Sequence, residues 1–377
     1  MPSPLKILFV MLEFPLWEQA RFWGYNGHFG IVEGLTEAGA KVTVLPAMFG
    51  RISSDRLSWL SRAKELFANE KFDQVWISLV HAHFDPAFLE WLATMAPVRV
   101  GVLTESLQYT QPEIDQNPAL ATRSQLVHQQ LNRLTHVICV DEVDADQLPG
   151  SAKMPALWIP GTVPARNVFK DYLTPTSPKA VFVGSLYSAE RRHFATHAGL
   201  KEVMDIGQSP EDATDLPQRF NRLNALVAQT LVRSPAVPLS VMNEHAGLLH
   251  ALRRESMDLW MKSLNSWLAL VNLPTFGKCF SGRVTETIGM GIPVIAFNIP
   301  HRPRNNSLFE AGREILFYDR DKPEQLMAHI RDLQQKPGRA RDIALAAREK
   351  VLRLHTQEVR MRQVLTWLAD GSVPSFN

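Results

Sequence analysis

Ser281-Gly282-Arg283 heads a short helical run whose next turn carries Glu286 and whose far end carries Gly289 and Gly291. A helix N-terminus presents unpaired N–H groups and the positive end of the helix dipole, so it receives anions. Gly282 lets a ligand come close to the backbone, and Arg283 has the planar fork that fits two phosphate oxygens. The chemistry these residues could do is phosphate recognition. Other residues could move a proton. His28 lies in an opening Gly-rich stretch, His81 and His83 follow one apolar run, Glu105 a second and Asp141 a third. Asp, Glu and His are the usual general bases, and position alone does not choose among these.

The elements that must position them read as strand and helix in alternation. KILFVM (6–11) is a continuous apolar run, as in a parallel strand buried on both faces. A helix follows with Ile31, Val32 and Leu35 on one face; Gly39 ends it before a strand at 41–47. Further strands are predicted at 74–80, 98–104, 136–141 and 156–161, with helices near 55–69, 86–95 and 118–133. The stretch 160–179 carries four prolines and little periodicity, so it reads as a joint. Beyond it a second sheet opens at 180–185. Residues 188–264 read as helical with almost no strand signal. Alternation then resumes with strands near 267–274, 293–298 and 314–319 and helices from Gly282 and Pro323.

A long helical region, 338–369, is weakly broken near His355. Ile343, Ala344, Ala347, Val351 and Leu352 form one core stripe on it, and Met257, Trp260, Met261, Leu264, Trp267 and Leu268 read as core before the strand near 267–274. The pattern predicts an α/β protein with two doubly wound, Rossmann-like domains facing a cleft. We place these at 1–172 and 173–355, with the helical segment 188–264 inside the second. In such sheets ligands sit at the carboxyl ends of strands, which is where the candidate residues fall.

Composition narrows the class. The chain has 377 residues, enough for two domains of roughly 150–200 each. Hydrophobic residues make up 45% and charged residues 21%, the balance of a folded protein. The formal net charge is +2 with basic residues scattered, which argues against nucleic acid as a partner. Two cysteines, Cys139 and Cys279, lie in apolar or strand-like stretches and read as reduced core thiols. No signal peptide or transmembrane run is evident, so a cytoplasmic protein is expected, with peripheral membrane contact left open. No cluster has zinc spacing, and the Asp-x-Asp within DEVDADQ (141–147) reads as an ordinary loop pair; no metal is expected.

FSGRVTETIGMGIPVIAFNIP (280–300) resembles the donor-binding segment of group 1, family 4-like glycosyltransferases of the GT-B fold. Residues 309–356 resemble the tail of a branch that includes spore-maturation glycosyltransferases. FVGS (182–185), with Arg191 and Arg192 after it, resembles the first strand and loop of that family's C-terminal domain. The resemblance implies a metal-independent transferase moving a sugar from a nucleotide-sugar donor to an unidentified acceptor, with no cofactor. Gly184, Tyr187, Arg191, Arg192, Lys278, Ser281, Gly282, Arg283 and Glu286 would then bind the donor. Glu286 takes the place of the carboxylate that receives the ribose hydroxyls, and an arginine after FVGS would clamp the diphosphate.

Many relatives place a second glutamate eight positions earlier; here that position is Lys278, which could instead reach the phosphates. The N-terminal domain would hold the acceptor, with Glu105 and His28 the foremost catalytic candidates. The terminal helix, 356–377, would pack back on that domain. The alternatives are a nucleotide-sugar epimerase on the same fold and a catalytically silent nucleotide- or sugar-binding module.

Overall fold

The computed structural model describes residues 3–11, 26–46, 61, 63–80, 84–184, 186–207, 244, 251, 254–255, 257–258 and 260–376. His81 and His83, and most of the helical segment expected at 188–264, lie outside the described residues. The chain divides into two compact units. One comprises Met1–Trp158 with Thr214–Ser256, the other Ile159–Ala213 with Met257–Asn377.

In the first unit the described strands are β1 (Lys6–Met11), β2 (Lys41–Pro46), β3 (Gln74–Ser78), β4 (Val98–Leu103), β5 (His136–Cys139) and β6 (Ala156–Trp158). All pair in parallel, in the order β2-β1-β3-β4-β5-β6. Ile7 to Val10 and the whole of β3 are buried, as sheets covered on both faces require. The helices between them include α1 (Asn26–Glu37), α2 (Pro86–Met95), α3 (Gln111–Gln116), α4 (Ala119–Leu131) and α5 (Glu142–Ala152). Their starts are chemically marked. Asp85 accepts from the Ala87 N–H at 2.8 Å ahead of Pro86, and Thr110 with Glu113 forms a capping box.

The second unit has β7 (Ala180–Val183), β8 (Met204–Gly207), β9 (Ala269–Asn272), β10 (Val294–Phe297) and β11 (Leu316–Tyr318). These too are parallel, ordered β11-β10-β9-β7-β8, so the direction of winding reverses between β7 and β9. Its helices include α6 (Ala189–Thr196), α7 (Ala198–Val203), α8 (Gly282–Gly289), α9 (Pro303–Asn306), α10 (Pro323–Gln335), α11 (Pro337–Lys350) and α12 (Gln357–Asp370). A π turn, Val351–His355, joins α11 to α12. That turn corrects the expected stripe: Ile343, Ala344, Ala347 and Val351 are buried, but the change of pitch leaves Leu352 exposed. The expected core before β9 is present, with Met257, Trp260, Met261, Leu264 and Leu268 buried and Trp267 half-buried.

The proline-rich stretch folds within the second unit. Phe169 N–H donates to Gly289 O at 2.8 Å, and Val163 N–H to His355 O at 3.0 Å. Gly291, at φ +80°, turns α8 toward β10, and a Cβ there would stand 2.9 Å from the Phe169 ring. A Cβ on Gly289 would stand 2.9 Å from Val163. The two glycines therefore make room for this stretch as well as turning the chain.

Candidate functional site

The candidate residues of the second unit gather at the carboxyl ends of β7 and β9, where the strand order reverses. This is the general ligand position of open α/β sheets. The loop leaving β7 carries Gly184 and Tyr187 into α6, capped by Ser188, whose Oγ accepts from the Arg191 N–H at 3.1 Å. The loop leaving β9 runs Leu273 to Phe280 into the head of α8.

Arg283 lies in the first turn of α8, and a Cβ on Gly184 would stand 3.6 Å from its Nη1, so the two loops meet there. Arg191 is buried beneath them. Its Nε donates to Pro274 O at 2.7 Å, tying the β7 side to the β9 side. Its guanidinium lies 4.5 Å from the Tyr187 ring centroid and 5.3 Å from that of Phe182. Burial lowers the Arg191 pKa from its ordinary value, and the neighbouring Arg283 lowers it further, whereas Tyr187 raises it. Tyr187 is exposed, packs on Phe276 with centroids 5.0 Å apart, and is hydrogen-bonded through its hydroxyl to Thr275.

Arg192 points elsewhere: its Nη1 donates to Leu186 O at 2.9 Å and Tyr187 O at 2.8 Å, bracing the loop it belongs to. Lys278 is half-buried in the loop between β9 and α8.

Glu286 is buried, and burial pushes its carboxyl up to about 8 against the opposing pull of Arg283. A neutral carboxyl of this kind both donates and accepts, which suits a ligand's hydroxyl groups. Ser281 is the N-cap of α8 but makes no capping bond; its Oγ donates to Asn272 Oδ1 at 3.1 Å. Asn272 in turn is held through its carbonyl by the Tyr318 hydroxyl at 3.1 Å. Asn272, Thr275, Phe276 and Tyr318 were not among the sequence candidates. A lone asparagine ending an apolar strand was the signal available for the first of them. Taken together, the site offers an uncapped helix N-terminus, Arg283 and a buried carboxyl one turn on, which can receive an anion carrying hydroxyl groups.

The first unit shows what its candidates do. Asp141 is the N-cap of α5: Oδ1 accepts from the Val143 N–H at 3.0 Å and Oδ2 from Ser106 Oγ at 2.5 Å. Asp144, of the Asp-x-Asp, accepts from the Leu107 N–H at 2.8 Å and from Gln108 Nε2 at 2.7 Å. Both carboxylates hold the loop after β4. Among the described residues no cluster of His, Cys, Asp and Glu has the arrangement of a metal site. Glu105 lies on that loop, partly exposed and ion-paired with Arg123 of α4. His28 falls in the first turn of α1. Cys139 is buried and Cys279 half-buried, both as thiols. Among the described residues no helix is long and apolar enough to cross a membrane.

A family model described as glycosyl transferase-like matches residues 250–366, which include the whole of β9, α8 and β10. Among solved structures, the chain is similar to sucrose-phosphate synthase from Thermosynechococcus elongatus, with a TM-score of 0.61 and 13% identity over 98% of this chain and 100% of that one. Anabaena HepE, solved with UDP and glucose, matches with a TM-score of 0.56 and 13% identity over 97% of this chain and 100% of that one. A glycosyltransferase from Rickettsia africae matches with a TM-score of 0.56 and 14% identity over 98% of this chain and 100% of that one. No curated protein matches the chain in sequence. The fold, two parallel-sheet Rossmann-like domains, is that of these GT-B structures.

Proposed function

We propose that the chain is a glycosyltransferase that takes a sugar from a nucleotide-sugar donor, with the donor's nucleotide held by the second unit. One observation carries the reading. At the winding reversal of the second sheet, the uncapped head of α8 brings together Arg283, the close-approach Gly282 and the buried Glu286. A departing nucleoside diphosphate gains negative charge, and preorganised N–H groups and guanidinium groups stabilise charge where it develops. The glycosyl transferase-like family match covers this segment, and HepE, of the same fold, binds UDP and glucose; both support the reading.

In this proposal the backbone N–H groups at Gly282 and Arg283 and the Arg283 guanidinium take the phosphates, without a metal ion. Glu286 takes the ribose hydroxyls. Arg191 braces the two loops from below and adds positive charge, and Tyr187 closes the rim. Glu105 and His28 of the first unit remain the candidates for taking the acceptor's proton. The acceptor is a hydroxyl-bearing molecule bound by the first unit.

The test is a thermal-shift panel of UDP, GDP, dTDP, CMP and their sugars on the protein and on Arg283→Ala. Ligand at 100 times its dissociation constant adds about 2.7 kcal/mol of apparent stability. A shift with one nucleotide class, lost in Arg283→Ala, is expected, and release of that nucleotide from its sugar should follow when acceptor is supplied. Absence of a shift with every nucleotide would sink the proposal.

A further inference from the structure

Asn272 ends β9 at the seat of this site, buried, and its two amide atoms have different fates. Oδ1 accepts the Ser281 hydroxyl at 3.1 Å, whereas Nδ2 is buried with no hydrogen-bond partner. Ser281 has the extended backbone of an N-cap, φ −63° and ψ 152°. A serine there ordinarily turns its oxygen onto an N–H of the first turn and satisfies it. Here it makes no such bond; its hydroxyl is instead turned toward the neighbouring strand, where it donates to Asn272.

A capping side chain and a bound phosphate compete for the same N–H groups. A serine that capped α8 would place its own oxygen where the ligand's oxygens belong. We infer that Asn272 is a positioning residue that keeps the head of α8 uncapped, holding the Ser281 hydroxyl aside so that the Gly282 and Arg283 N–H groups await a nucleoside diphosphate, while the Val284 N–H is taken by the Ser281 carbonyl at 2.9 Å. The inference rests on the donor-binding function proposed above. It adds a residue outside the helix as the group that sets whether the anion site is open. The Tyr318 hydroxyl, donating to the Asn272 carbonyl, fixes the strand end from which the amide reaches Ser281.

The experiment measures UDP binding by calorimetry, with GDP and dTDP in parallel, on the full chain and on Arg283→Ala, Asn272→Ala, Ser281→Ala and the double variant Asn272→Ala/Ser281→Ala. Asn272→Ala should weaken binding of the preferred nucleotide by about tenfold without lowering Tm, since the released serine now caps the helix. Ser281→Ala should bind at least as tightly as the parent. The double variant should return to within about threefold of Ser281→Ala, because no hydroxyl remains to close the site. Asn272→Leu, close in volume and lacking the acceptor, repeats the test should the alanine variant fail to fold.

Rescue in the double variant is the readout that a merely structural asparagine would not give. A double variant as weak as Asn272→Ala overturns the inference. So does an Asn272→Ala protein that binds like the parent while Arg283→Ala does not bind; in that case the donor site stands and only the role of Asn272 fails. A parent that binds none of the three nucleotides overturns both readings.

Discussion

The Glu286 carboxyl reaches back to the head of its own helix, where Oε1 lies 3.2 Å from the position a Cβ on Gly282 would take. The glycine therefore does two things at once: it leaves room for the carboxyl and for whatever binds above it. Alanine is the better helix former, by about 1 kcal/mol, so Gly282→Ala should leave folding stability within about that amount. The added methyl must displace either Glu286 or the ligand. Nucleoside diphosphate affinity is expected to fall about tenfold or more, equivalent to ~1.4 kcal/mol. Calorimetric titration beside urea unfolding checks this; unchanged affinity would remove Gly282 from the site.

Burial sets a pH dependence through the same carboxyl. Glu286 is pushed up to about 8 from an ordinary 4.5, with Arg283 opposing the shift. Between those values the folded protein keeps a proton that the unfolded chain releases. Stability from this group is thus complete below the lower value and is lost as pH rises to about 8, by at most about 1.4 kcal/mol per pH unit. His355 works in the other direction. Burial, with Arg360 beside it, holds its pKa well below 6.5, so its contribution is lost as pH falls below that value. Urea midpoints taken from about pH 6 to about pH 8 should fall in the parent and stay nearly flat in Glu286→Gln. Parallel slopes in the two proteins would contradict the buried, protonated carboxyl.

Much of this was legible from local pattern. The strands appear within a few residues of the apolar runs, as with 98–104 against Val98–Leu103, and the helix expected near 86–95 is α2. β8 escaped because Met204–Gly207 is a short strand at the edge of the sheet, with Met204 buried but Ile206 exposed, so it lacks a buried apolar run. α5 escaped because Pro149 lies inside it and reads as a breaker. At the site, Arg283 and Glu286 were readable because segment 280–300 resembles a donor-binding segment, and its helix sets them one turn apart. Asn272 meets Ser281 across a loop, and Tyr318 meets Asn272 across the strand order β11-β10-β9; no spacing in the sequence encodes either. Asp141 was a plausible base by position and proves to be a helix cap, a role its neighbours Ser106 and Val143 decide.

Arg360 is fully buried on α12 and stacks 3.9 Å from the ring centroid of Phe376. Nη2 donates to Leu354 O at 3.0 Å and is hydrogen-bonded to His355 Nδ1 at 2.8 Å, but Nε and Nη1 have no partner. Burial lowers its pKa to about 9. An incompletely satisfied buried charge is a poor source of stability, and apolar replacements of similar volume are often neutral or better. Arg360→Met should therefore hold or raise Tm. Phe376→Ala should cost about 3–5 kcal/mol, as a large-to-small change in a packed interior. Urea unfolding of both variants decides it: a large loss in Arg360→Met would mean that the guanidinium's two bonds outweigh its burial.

Arg191 and Arg192 are adjacent in sequence and opposite in role. Arg191 is buried, its Nε on Pro274 O and its guanidinium near Arg283, so it joins the two loops that form the site and adds to its positive charge. Arg192 spends its Nη1 on the carbonyls of Leu186 and Tyr187 and is exposed. Removing Arg191 should therefore lower both stability and nucleotide affinity, the latter by tenfold or more, equivalent to ~1.4 kcal/mol. Arg191→Lys should not rescue it, because an ammonium cannot keep the Nε bond and stack on Tyr187 in the same pose. Arg192→Ala should change affinity by no more than about threefold, well under 1 kcal/mol, through looser hold on the Tyr187 loop. The comparison needs only nucleotide titration and thermal unfolding of the three variants. A larger loss of affinity in Arg192→Ala than in Arg191→Ala would reverse the assignment and place the diphosphate on the outer arginine.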